Sequence, residues 1–136
     1  MKSILTSLLF AVLFIAVSCK KDKESGVAQL NGDYNIYLKI VEDPNDGPIE
    51  YPMPSADGGH GKLVVKANQD SSMSVNILQF NKNNDTLSKT TITGRVKTLT
   101  NGDLRFVNGS NWLGTFGKNN ELEVYASATI TWFGRK

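Results

Sequence analysis

From residue 33 onward apolar and polar residues alternate along most of the chain. A period of two marks strands with one buried face. Tyr34, Ile36, Leu38 and Ile40 share one face of a first strand, with Asn35, Tyr37 and Lys39 on the other. Leu63, Val65 and Ala67 repeat the pattern, as do Met73, Val75 and Ile77. At Leu78 and Phe80 the apolar frame slips by one residue, which predicts a β-bulge. A Thr-rich strand over 86–97 turns Ile92 and Val96 inward, and short strands follow at 104–107 and 112–116. The last run, 122–133, puts Leu122, Val124, Ala126, Ala128, Ile130 and Trp132 on one face. Asn101-Gly102 predicts a type I′ hairpin, whose two central positions need positive φ. Further turns at 81–85, 108–110 and 117–120 complete a meander. No window after the leader repeats at the helical period, so the chain is all-β. Seven or eight closely spaced strands predict a single antiparallel up-and-down barrel, with a two-sheet β-sandwich as the alternative.

One stretch breaks the rhythm. All four prolines, Pro44, Pro48, Pro52 and Pro54, fall within residues 43–61, which read as a long loop between the first two strands. Loops of that length in a compact domain are either functional or disordered.

The start of the chain follows a different logic. Lys2 precedes an uncharged, largely apolar run over residues 4–17. This is shorter than the roughly 20 residues needed to span a bilayer and fits the apolar region of a secretory signal peptide. Ala16-Val17-Ser18-Cys19 then resembles the lipobox of bacterial lipoproteins, and Cys19 is the only cysteine. In that class the cysteine thiolate takes a diacylglycerol, and cleavage in front of it leaves the lipid as the anchor. The resemblance implies a signal peptide at 1–18, a lipidated tether at 19–28 and a β domain at 29–136. Two or three acyl chains, at about 0.8 kcal/mol per buried CH₂, hold a protein stably on a membrane. Lys20-Lys21-Asp22-Lys23-Glu24 resembles the tether of Bacteroidota lipoproteins. It implies an outer-membrane anchor, facing either the periplasm or the cell surface.

Without residues 1–18 the chain keeps 118 residues, with 14 Lys and Arg against 13 Asp and Glu. That is enough for one modest core and gives no basic excess for a nucleic-acid partner. The reading names no cofactor and no metal. Asp43-Pro44-Asn45-Asp46-Gly47 lacks the register of a calcium loop, because Gly47 falls one position early.

Gly32-Asp33-Tyr34, the meander and Arg135 past the last strand resemble a reduced lipocalin-like pattern. In lipocalins an aromatic opens the first strand and a basic residue near the last strand packs over it. The resemblance implies that Tyr34 and Arg135 close the base of a barrel.

Candidate contacts are the aromatics Tyr37, Tyr51 and Trp112, with Phe133, and the single histidine, His60. Aromatic faces line ligand cavities and stack on sugars. His60 sits among Gly58, Gly59 and Gly61 with Asp57 nearby, but it lacks a second ligand or nucleophile at useful spacing. The sequence therefore points to a non-enzymatic binding module for a small apolar ligand or a glycan. The alternative is an envelope structural, protein-interaction or inhibitor lipoprotein without a ligand cavity. A cavity lined by Ile36, Leu63, Val75 and Trp132 would mark the first, and a filled core with exposed aromatics the second. An enzyme would require Asp57 and His60 to converge with a third polar group.

Overall fold

The computed structural model describes residues 26–136, so the expected signal peptide, Cys19 and most of the expected tether lie outside the described residues. Nine antiparallel strands follow a short 3₁₀ turn at Ala28–Leu30: β1 Gly32–Asp43, β2 Gly47–Pro52, β3 His60–Ala67, β4 Ser72–Phe80, β5 Thr86–Thr98, β6 Leu104–Asn108, β7 Asn111–Phe116, β8 Glu121–Ser127 and β9 Ile130–Arg135. Sequential neighbours pair from β3 through β9, and β9 returns to pair with β1. The result is an eight-stranded up-and-down barrel with β2 added at its edge. Ring closure through β1 and β9 rules out the two-sheet sandwich.

Three departures from the sequence pattern have identifiable causes. The stretch 43–61 is not one long loop: within it β2 pairs with the upper half of β1, from Leu38 opposite Pro52 to Asp43 opposite Gly47, and only short turns remain on either side. Met53 N–H donates to Tyr37 O, so Tyr51 and Ile49 also direct their main chain at β1, while Pro48, Glu50 and Pro52 direct theirs at the free edge. The prolines thus sit where no ladder hydrogen bond is missing, which is how an edge strand tolerates them. The run 122–133 is two strands, β8 and β9, joined through Ala128-Thr129. In β1 the register against β9 shifts between Ile36 and Leu38, so the inward frame Tyr34, Ile36 passes to Lys39, opposite buried Trp132. Leu38 and Ile40 therefore leave the inner face on which alternation placed them. The bulge expected in β4 near Leu78 and Phe80 falls on β5 instead: β4 stays in register with β3 up to the His60–Phe80 pair, and Leu87 is the extra residue between Gln79–Ser88 and Phe80–Thr86.

The turns share one design. At residues 55–59, 68–72, 81–85 and 99–103, the first residue's N–H reaches the fifth residue's carbonyl, and the fourth residue's N–H returns to the first residue's carbonyl. The fourth residue has positive φ each time: Gly58, Ser71, Asn84 and Gly102. This is a type I turn followed by a left-handed residue. It replaces the type I′ turn expected at Asn101-Gly102, where only the glycine has positive φ. Asn120 at φ 56° occupies the same place in the turn between β7 and β8.

The interior is filled from all sides. Phe106, Leu63, Ile77, Leu122, Val75 and Val124 are fully buried, and Ile36 and Trp132 belong to the same cluster. Gly94 and Gly114 let the wall close: a Cβ at Gly94 would meet the Val107 carbonyl, and one at Gly114 the Glu123 carbonyl. Neighbouring strands cross so closely at these points that only glycine fits.

The base is plugged by Val27 and Leu30, both buried, so the packed domain starts within the segment assigned to the tether. Tyr34 Oη donates to Leu30 O at 2.9 Å. Lys136 Nζ donates to Gln29 O at 2.9 Å and Asn31 O at 2.6 Å, and lies 5.1 Å from the Tyr34 ring. Asn31 extends the closure by bonding both the carbonyl and the N–H of Ala67. The basic residue over Tyr34 is therefore Lys136, not Arg135, which lies on the outer wall.

Two substitutions test these points. Gly114→Ala should lower unfolding stability by about 2 kcal/mol or more in chemical denaturation, since the clash is with backbone that cannot rotate away. Ser71→Gly should raise it by up to about 1 kcal/mol, because a non-glycine residue in the left-handed region carries a steric cost that glycine lacks.

Candidate functional site

The outer wall of β7, β8, β9 and β1 gathers aromatic side chains that lie far apart in sequence. Phe106 and Gly114 pair as inward residues, and a register shift before the Val107–Trp112 pair turns Trp112 outward. Its indole is fixed on two sides. Nε1 donates to Gly114 O at 2.8 Å, and the Arg105 guanidinium lies 4.2 Å from the ring centre. Tyr125 meets it edge-on, with ring centres 5.7 Å apart and planes at 83°. Even so, Trp112 remains 47% exposed.

Across β8 and β9 the wall continues. Glu123 pairs with Phe133 and Tyr125 with Thr131, so all four point outward and Tyr125 is diagonal to Phe133. Tyr37, the residue skipped by the β1 shift, lies 6.3 Å from Phe133. The Arg135 guanidinium sits 5.1 Å from the Tyr37 ring and forms an ion pair with Glu121. An aromatic stripe with an arginine over each end thus runs across the wall. Such cation–π contacts hold rings in place at roughly 0.5–1 kcal/mol each when exposed.

Two depressions follow the stripe. One of about 640 Å³ is lined by Trp112, Tyr125, Asn111, Glu42, Ser127 and Thr131 among others. A smaller one of about 230 Å³ lies between Tyr37, Phe133, Thr115 and Glu123. The larger combines a flat apolar surface with hydroxyl, amide and carboxylate groups at its border. Burial first, with Glu123 adding to it, pushes the Tyr125 phenol above its ordinary value. At neutral pH it is an uncharged hydrogen-bonding group.

The sequence-based candidates divide. Tyr37 and Trp112 share this wall. Tyr51 does not: it stands on β2 facing Lys39, whose Nζ lies 5.6 Å from the Tyr51 ring and 5.1 Å from the Trp132 ring. Nor does His60, which stacks on Phe80 with ring centres 5.2 Å apart and planes at 22°. Asp57 accepts from Ser55 Oγ at 2.5 Å and from Gly59 N–H at 3.3 Å, and these bonds hold its carboxyl below the usual value. His60 Nδ1 approaches Gly58 O instead, at 3.4 Å. Asp57 and His60 therefore shape the turn before β3 without converging on each other. No group of three His, Cys, Asp or Glu side chains suited to a metal occurs among the described residues. Arg105 and Tyr125 carry no local signal in the sequence. Their place beside Trp112 follows from strand register, which no local motif announces.

Ile36, Leu63, Val75 and Trp132 line neither the depressions beside Trp112 and Tyr37 nor those beside Gly94 and at the barrel base. These four side chains pack into the core. No family model, curated protein or solved structure matches the chain.

The Tyr125 environment gives a direct check. In a pH titration of tyrosine ring resonances by NMR, Tyr125 should ionise above the ordinary midpoint of about 10. Glu123→Gln should move that midpoint down, because the substitution removes a negative neighbour that opposes phenolate formation.

Proposed function

We propose that the protein is a lipid-anchored, non-enzymatic binding module of the bacterial envelope that takes a glycan on its outer wall. The observation that carries this reading is Trp112, held by Gly114 O and Arg105 yet left nearly half exposed over a depression bordered by Asn111, Glu42, Ser127 and Thr131. A sugar ring presents apolar C–H groups on its faces and hydroxyls around its edge. An indole matches the first, and the polar border matches the second. The packed interior speaks against carriage of an apolar ligand inside the barrel, since a carrier needs unfilled volume there.

Anchoring fits the same orientation. The chain enters at the plugged base, so lipid on Cys19 would set that end toward the membrane. Trp112 lies near the opposite end, next to the turn between β6 and β7. The residues between Cys19 and the plug, at about 3.3–3.6 Å each when extended, lift the domain clear of the headgroups. In the outer membrane this arrangement would present Trp112 away from the bilayer.

Titration of the full chain in mild detergent with envelope polysaccharide fragments should shift Trp112 emission, with Trp132 as the buried internal reference. Trp112→Ala should weaken binding by about tenfold or more, matching a stacking contact of about 1–2 kcal/mol. Equal binding by Trp112→Ala and the unmodified chain would remove the proposed site.

A further inference from the structure

The barrel is closed at its base and split along its upper half. β6 pairs with β5 only from Arg95 opposite Val107 to Thr98 opposite Leu104, and β6 ends at Asn108. β5 runs on to Thr86, paired with β4 on one side only. The direction of its main-chain groups can be read from two hydrogen bonds. Val96 N–H reaches Ser71 O on the β4 side, and Thr93 O accepts from Asn108 Nδ2 on the β6 side. Main-chain groups alternate along a strand, so those of Thr91 and Lys89 also face the β6 side. No strand among the described residues lies opposite them.

The molecule has two such open edges and treats them differently. On β2 the groups facing solvent belong to Pro48, Glu50 and Pro52, so two of the three donors are absent. This is a recognised defence against unwanted strand pairing. On β5 the open stretch is Lys89-Thr90-Thr91-Ile92-Thr93, with no proline and strong β formers. Beside it, Leu87 is 67% exposed. Where β6 leaves β5, a depression of about 440 Å³ is lined by Thr93, Gly94, Arg95, Lys97, Val107, Asn108 and Gly109.

Charge narrows the occupant. Lys89, Arg95 and Lys97 are all exposed on β5; Lys89 borders the open stretch, and the Arg95 guanidinium donates to Asp70 O at 2.9 Å. Asp70 lies beside Arg95 and offsets part of its charge, whereas neither Lys89 nor Lys97 forms an ion pair among the described residues. A second copy pairing edge to edge about a two-fold axis would add another Lys89 and no carboxylate to the same short ladder, so it gains no charge pairing, whereas an acidic strand does.

We infer that the upper edge of β5 is a strand-addition site for an extended acidic peptide segment of a partner protein. The added strand takes the place that β6 vacates beyond Asn108, bonding to the main chain of Thr91 and Lys89. An acidic side chain of the added strand faces Lys89, and a side chain at its end enters the depression beside Gly94. This is a separate site from the Trp112 wall and stands without it.

The test uses the full chain in mild detergent with two probes, a peptide of alternating Glu and Val and its counterpart of alternating Lys and Val. The Glu/Val peptide should bind and slow hydrogen exchange at the Thr91 and Lys89 amides, and the Lys/Val peptide should bind at least about tenfold more weakly. Thr91→Pro removes the central edge donor and should reduce Glu/Val binding by about tenfold, with circular dichroism checking that the barrel persists. Lys89→Glu, which leaves the backbone untouched, should reverse the preference between the two peptides. Equal binding of both peptides, or unchanged exchange at Thr91 and Lys89 with peptide bound, would overturn the inference. So would self-association of the chain that Thr91→Pro abolishes, since the occupant would then be a second copy.

Discussion

The pairing of β1 with β9 is the constraint on which the rest of this structure depends. β1 is the one strand with three partners: β9 along one edge, and β3 then β2 along the other. Its register shift at Tyr37 allows this. Below the shift Tyr34 and Ile36 belong to the barrel core, and above it the strand rolls so that Lys39 faces Trp132. Closure around such a small ring leaves an interior just wide enough for side chains. Here that interior is taken up by Phe106, Leu63, Ile77, Leu122, Val75 and Val124. Tyr37 itself is turned outward by the same shift, which is why it joins Phe133 and Arg135 instead of the core.

Base closure has the same economy of parts. Tyr34, Leu30 and Lys136 form one unit in which a phenol and an ammonium group cap main-chain carbonyls of the 3₁₀ turn and the residue after it. These carbonyls lie at the end of the barrel, where no strand continues to receive them, and unpaired polar groups there would be costly to bury. Burial accounts for the raised pKa of Tyr34, so its hydroxyl remains a donor throughout the neutral range. A chain without an internal disulfide depends on contacts of this kind to fix its ends.

Much of the barrel was legible because period-two alternation survives wherever one face is buried. Leu63, Val65, Met73, Val75 and Ile77 could be placed inward from their spacing alone, and all are buried. The failures have a common origin in what spacing does not carry. Residues 43–61 read as a loop because proline usually ends a strand, yet an edge strand with the ring toward solvent loses nothing by having one. Residues 122–133 read as one strand because Ala128-Thr129 lacks the Gly, Pro or Asn that marks most turns. The aromatic wall was half legible. Trp112 and Tyr37 stood out as candidates, whereas their grouping with Tyr125 and Arg105 depends on shifts of register in β1 and β7 that pattern alone does not locate.

The two open strand edges among the described residues are protected unequally. A barrel that needed only to be soluble would protect both edges, or extend β6 until β5 was covered. Here β2 carries Pro48 and Pro52 in the positions that face outward, while β5 keeps its outward donors at Lys89 and Thr91 and sets lysine and arginine along them. Charged residues on an edge deter pairing with a like strand and favour pairing with an opposite one, so a lysine on this edge would disfavour a second copy and favour an acidic strand. Since β5 opens on the half of the barrel away from the plugged base, that edge and the Trp112 wall face the same surroundings. The fold thereby concentrates its unsatisfied chemistry at the end opposite the one where the chain enters.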